Sequence, residues 1–429
     1  MKLGNSIAVC ILVGSSVTGL TKAVEATPQA EPTHNVALTQ QVANLRSQGP
    51  AGLQIFLKAH SAELQANPAP ASQFRATLDA LCQQKDCYAS QLYWYTDLEV
   101  AKAAAQATGK PILSLRLLGR LDQDLSCANS RFFRVALYPN AQISQVLRDR
   151  FILHWQSIRP VPKVTLDFGD GRVVERTITG NSIHYILSPD GRPIEALPGL
   201  YGPQVFLHHL EQAEQTVKQY QQQPTTERAT FLSNYHRDRW TQLQRQWAEE
   251  LQQLGIQVPP RLSDRAVPTT GVPSADLAGQ IAMTKARVES PLVMSLLRDA
   301  TREQKALTDI TDKAAWEKLA ALHADQARLD RNSLRLMAQK MGREAASAQS
   351  VIPMVQKFEA AMALDTVRNE YLLHSQLHQW FMQRFETQTV DRLNEQVYTS
   401  LFLTPSTDPW LGLLPKDDFS GIDQNGFVR

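Results

Sequence analysis

A change of hydrophobic period near residue 90 constrains this chain more than any other feature. Before it, "NVALTQQVANLRS", "PAGLQIFLKAHSAELQ" and "SQFRATLDALCQQ" repeat apolar residues at steps of three and four, the period of a helix face. After it, short aromatic and aliphatic runs alternate with helical ones. "SQLYWY" (90–95) predicts a strand, and "TDLEVAKAAAQATGK" predicts a helix capped by Thr96 or Asp97 and stopped by Gly109. "PILSLRLL" (111–118) predicts a strand, residues 127–150 a helix broken near Pro139, and "FILHWQSI" (151–158) another strand. Two hairpins follow, over 163–178 with an Asp-Gly turn and over 184–197 around Pro189-Asp190-Gly191. A helix from Gln204 to Gln222 closes the stretch. Strands that alternate with helices and end in hairpins predict an α/β domain over 91–222, a mixed central sheet flanked by helices.

The flanks read as mostly α-helical N- and C-terminal regions. Residues 27–90 start with a Pro-rich lead-in and continue as short helices. Residues 223–255 hold one long charged amphipathic helix, 256–276 are a Pro-rich linker, and 277–429 are a helical C-terminal domain. The tail carries Trp410, Leu411, Leu413 and Leu414, which are expected to pack onto those helices.

Residues 1–26 have the pattern of a secretory signal: Met1-Lys2, an uncharged apolar run, then small residues with cleavage expected after Ala23 or Ala26. The alternative is a retained anchor. Cleavage leaves an exported chain with no integral membrane segment, in the periplasm or secreted. With 44 basic and 42 acidic residues, charge supplies no reason to expect a nucleic-acid partner. Nothing in the sequence fixes an oligomeric state. Export also sets the cysteine arithmetic. Cys10 leaves with the signal, Cys82 and Cys87 in "CQQKDC" are close enough to bond, and Cys127 remains as a free thiol. The alternative is three free, buried thiols.

"DLEVAKAAAQATGKPIL", then a loop, then Cys127-x-x-Ser130 at a helix start, then "LYPNAQISQVLRDRFIL", resembles the thioredoxin-like fold family, and within it the secreted bacterial members. The resemblance covers about residues 91–220; "SPDGRPI" (188–194) matches the family's last hairpin and "LPGLYGPQVFLHHL" (197–210) its final glycine and helix. It implies that Cys127 stands where the family holds its attacking thiol. The sequence departs from the family in three ways. Ser130 replaces the second cysteine, Ser182 stands in place of the cis-proline, and the 163–178 hairpin and the lengthened loop 119–126 are insertions.

A cysteine at a helix N-terminus is activated by the unpaired N–H groups there, and Arg131 and Arg134 lie one turn further on. Without a resolving cysteine, Cys127 would exchange as a monothiol with a protein or small-thiol partner, with Ser130 donating to the thiolate. The competing reading is an inert buried cysteine. Arg116 inside "LSLRLL" needs solvent or a carboxylate such as Asp167; an anion-binding role toward the Cys127 loop is the sharper alternative. Glu370, His374 and His378 fall at four-residue steps on one helix face, a spacing that can chelate a metal. No third ligand can be named from the sequence, so a polar packing face is expected, with no metal or other cofactor. His208-His209 reads as a helix surface. Two functions follow: thiol-disulfide exchange or redox sensing through Cys127, or a non-catalytic interaction protein that docks partners on its helices.

Overall fold

Strand β1 (Ile112–Leu118) is buried along its whole length, as a central strand with both sheet faces covered must be. It pairs in parallel with β2 (Ile152–Arg159) and antiparallel with β5 (Ser182–Leu187), which pairs antiparallel with β6 (Pro193–Pro198). The sheet order is β2–β1–β5–β6, and β3 (Lys163–Asp167) with β4 (Val173–Thr177) forms a separate two-stranded ribbon. This is a mixed α/β sheet flanked by helices, followed by a helical region. The computed structural model describes residues 40–65, 72–177, 180–257, 313–341, 348–383, 389–405 and 407. The expected signal segment 1–26, most of the expected 256–276 linker and the tail with Trp410 lie outside the described residues.

The helices run in order α1 (Pro50–Ala59), α2 (Ser61–Gln65), α3 (Ser72–Cys82), α4 (Cys87–Ser90), α5 (Leu98–Thr108), α6 (Ala128–Phe132) and α7 (Ala141–Arg150). They continue as α8 (Pro203–Gln222), α9 (Arg228–Gln253), α10 (Lys313–Leu322), α11 (Arg331–Lys340), α12 (Ala348–Arg368), α13 (Ser375–Gln383) and α14 (Val390–Gln396). Asp97 caps α5 by accepting from the Glu99 and Val100 N–H groups, and Gly109 ends it at φ 70°. The helix expected over 127–150 is three pieces: α6, a π-helical turn Phe133–Leu137, and α7, which Asn140 caps. The expected strand at 90–95 is reduced to one bridge, Tyr95 with His154. The Trp94 N–H donates to the Cys82 carbonyl at 3.0 Å, so that backbone serves the end of α3 instead of a ladder. None of the described helices is long and apolar enough to cross a membrane.

One hydrophobic core joins the sheet to the later helices. It runs from Leu92 and Trp94 through Leu115, Ile183 and Leu197 to Trp316, Phe358, Phe381 and Phe402. Each such side chain contributes about 1.5–3 kcal/mol by leaving water. Two glycines permit close approaches between the sheet region and the later helices. At Gly202 a Cβ would stand 2.7 Å from the Gln326 carbonyl oxygen. At Gly199, φ +79°, a Cβ would stand 2.6 Å from Asn369 Nδ2. Asn369 uses that space to donate to the Leu200 carbonyl at 2.7 Å. Asn369 opens a second π-helical turn, Asn369–His374, set between α12 and α13. The loop after β6 thus fixes the turn that carries Glu370 and His374.

Candidate functional site

Cys127 is the N-cap residue of α6 and is fully buried. Its N–H donates to the Leu118 carbonyl at 3.1 Å, which ties it to the end of β1. The Ser130 hydroxyl lies 2.6 Å from Ser126 Oγ and 2.8 Å from the Cys127 carbonyl oxygen, so its bonds go to the turn rather than to the thiol. Arg131 donates to Thr177 Oγ1 at 2.9 Å, and burial lowers its pKa to about 10, with Cys127 opposing. Arg134 donates to the Asp124 carbonyl and to Ser126 Oγ, and stands 3.7 Å from Asp86 Oδ2. It holds the 124–126 loop against the start of α4. Ser182 is buried on β5 opposite Leu117. Cys82 and Cys87 form a disulfide between α3 and α4, and Cys127 is a free, buried thiol.

Arg116 is 1% exposed and pairs with Asp391 at 3.1 Å, not with Asp167. An exposed sheet face does not describe it. Burial lowers its pKa, and Asp391 opposes that shift.

A second set of groups converges where β6 meets the later helices. Glu195 projects from β6, His209 from α8, His236 from α9, Glu370 and His374 from the second π turn, and His378 from α13. None of the six is more than 13% exposed. They form two groups, Glu195/His236/His378 and His209/Glu370/His374, and within each group ligand atoms of the three residues lie within 4.8 Å of one another. His236 Nδ1 faces His378 Nδ1 at 2.9 Å. His209 Nε2 stands 3.0 Å from Glu370 Oε2, and His374 Nδ1 stands 3.5 Å from the same oxygen. His374 Nε2 is 3.0 Å from Glu195 Oε1. Tyr235 donates its hydroxyl to Glu195 Oε2 at 2.8 Å, and the Ala196 N–H donates to Oε1 at 2.9 Å.

The electrostatics follow from burial and proximity. Burial works to raise the Glu195 pKa, but His378 and His374 outweigh it and hold it well below the usual carboxylate range. Burial likewise works against the charge of Glu370, and His209 and His374 outweigh it. For His374, burial favours the neutral ring, but Glu195 and Glu370 together raise its pKa to about 9. Burial lowers His236 to about 4 and depresses His378 as well. Among the described residues, no lysine or arginine is paired with either carboxylate. Buried charges persist only when paired or bound to a metal.

The helix-face triplet Glu370, His374, His378 is therefore brought together, but split between the two groups. The members of the two groups that the sequence did not reveal are Glu195, His209 and His236. They come from three elements that precede the triplet by more than a hundred residues, so no local spacing could reveal them. His209 is also a correction: it is 4% exposed and bonded to Glu370, not a helix-surface residue. Comparison of the chain with family models, curated proteins and solved structures finds no match.

Proposed function

We propose that this chain is a metal-binding protein in which a thioredoxin-like sheet and the helices after it close around a histidine–glutamate centre. The observation that carries the reading is the convergence of four imidazoles and two carboxylates, none more than 13% exposed, into two groups of ligand spacing. Donor separations of 2.9 and 3.0 Å suit neighbouring donors on one ion. A first-row ion with bonds of about 2.1 Å places adjacent donors about 3.0–3.4 Å apart. Two histidines and one carboxylate form a donor set for Zn(II) and for Fe(II). The thioredoxin-like part of the reading is supported by the element order: strand, broken helix with its Tyr-Pro-Asn turn, strand, hairpin, closing helix. The exported part rests on residues 1–26, and a disulfide suits an oxidising compartment.

The test is metal content. The full chain, purified without chelator and then reconstituted in turn with Fe(II), Mn(II) and Zn(II), should retain at least one equivalent through gel filtration and gain resistance to urea. A folded chain that retains none of the three and gains no stability overturns the reading.

The position of Cys127 at a helix start, with Arg131 and Arg134 on the following turn, favours a second reading: monothiol exchange or redox sensing with a protein or small-thiol partner. Because the thiol is buried, exchange requires local opening. Alkylation rate against pH, with Cys127→Ala as control, tests it. A thiolate formed below about pH 7 in the folded chain supports it; a thiol that reacts only after denaturation removes it.

A further inference from the structure

We infer that the centre takes two ions in two separate sites joined through His374, rather than one shared ion. This rests on the metal-binding reading above. His374 stands between the groups and meets a carboxylate with each ring nitrogen: Nδ1 is 3.5 Å from Glu370 Oε2, and Nε2 is 3.0 Å from Glu195 Oε1. The two nitrogens of an imidazole point in diverging directions. Glu370 and Glu195 therefore lie on different sides of the ring, and a single ion cannot bind both groups.

One ion belongs to His209 Nε2, Glu370 and His374 Nδ1. The other belongs to His236 Nδ1, His378 Nδ1 and Glu195. In the first site, His374 binds through Nδ1 and donates its Nε2–H to Glu195. This is the carboxylate–imidazole–metal arrangement that fixes a ligand's tautomer and orientation. Glu195 then serves twice, as a ligand of one ion and as the orienting partner of a ligand of the other. It has the capacity. A carboxylate offers about four acceptor positions; His374, Tyr235 and the Ala196 N–H take three, which leaves one for an ion. Each ion has three protein donors. Ions that prefer four to six ligands keep one or more positions for water or a small anion.

The experiment is a titration of the metal-depleted full chain with Co(II), counting bound metal after gel filtration. Near-UV circular dichroism in EDTA confirms that each variant is folded. Two equivalents are expected for the unaltered chain. One is expected for His209→Gln and one for the His236→Gln/His378→Gln pair, with His→Asn replacing any Gln variant that does not fold. In the latter background Glu195→Gln should weaken the remaining site roughly 10–100-fold, although Glu195 is not its ligand. A single equivalent abolished by either set of variants overturns the two-site proposal and leaves metal binding standing. No bound ion in the unaltered chain overturns both. Two equivalents with no effect of Glu195→Gln on the remaining site overturns the link through His374.

Discussion

Gly199→Ala perturbs the centre without touching a ligand. The residue sits at φ +79°, where a side chain costs about 1–2 kcal/mol. The new Cβ would stand 2.6 Å from Asn369 Nδ2 and 2.8 Å from its Oδ1. Asn369 is 5% exposed and bonded to the Leu200 carbonyl, so it cannot swing into water without leaving that buried acceptor unsatisfied. That adds about 1–3 kcal/mol. The total, about 2–5 kcal/mol, should appear as a lower urea midpoint in EDTA at unchanged m-value. Displacing Asn369 moves the π turn that carries Glu370 and His374, so metal affinity should fall as well. A double-mutant cycle isolates the cause. In an Asn369→Ala background the clash is absent, and Gly199→Ala should cost only the backbone strain. An equal cost in both backgrounds would refute the argument that Gly199 is kept open for Asn369.

Other consequences are independent of the metal. Burial, with Arg116, lowers His154 to about 3, and burial lowers His184 to about 3. Both rings fold neutral, so their stabilising contribution is complete above about pH 6.5 and is lost as pH falls from there toward 3, at about 1.4 kcal/mol per pH unit each. His154→Gln should flatten the stability–pH curve between pH 6 and 4 in EDTA by that slope, and an unchanged slope would show that His154 is not held neutral. Asp391→Asn leaves the buried Arg116 guanidinium without its carboxylate; since Asp391 is 74% exposed, a cost of about 2 kcal/mol, between the exposed and buried cases, is expected in urea unfolding. Adding Arg116→Met should recover part of it, and a neutral Asp391→Asn would remove the pair from the account. Replacing Cys82 and Cys87 by alanine opens a short loop and should cost about 2 kcal/mol by the chain-entropy relation; no change in the urea midpoint would mean the bond does not constrain the unfolded chain.

Much of the α/β region was legible because its signals are local. Asp97 and Gly109 bound α5 by capping chemistry, and Pro189-Asp190-Gly191 closes the β5–β6 hairpin. "SQLYWY" misled because its aromatic run predicts a ladder, whereas the backbone at Trp94 is taken by Cys82. None of the π turns, Phe133–Leu137, Asn369–His374 and Val397–Leu401, has a periodic signature that separates it from an ordinary helix. The partner of Arg116 lies at Asp391, 275 positions along the chain, where no hairpin register could point. The candidate metal centre was half visible: the face Glu370, His374, His378 could be read from its spacing, but its completion depends on β6, α8 and α9 packing against the second π turn. The family resemblance points to Cys127, while among the described residues the two groups of potential metal ligands lie at β6, α8, α9, α13 and the second π turn.

X-ray absorption at the metal edge of the reconstituted chain reads the donor atoms of the centre themselves. A first shell of nitrogen and oxygen at about 2.0–2.2 Å is expected, with scattering from about two imidazoles per ion and no sulfur shell at about 2.3 Å. In His374→Ala one of the two ions should be lost, so the edge height per chain should fall by about half while the remaining ion keeps its two imidazoles. A sulfur shell, or an edge height per chain unchanged in His374→Ala, would contradict this expectation.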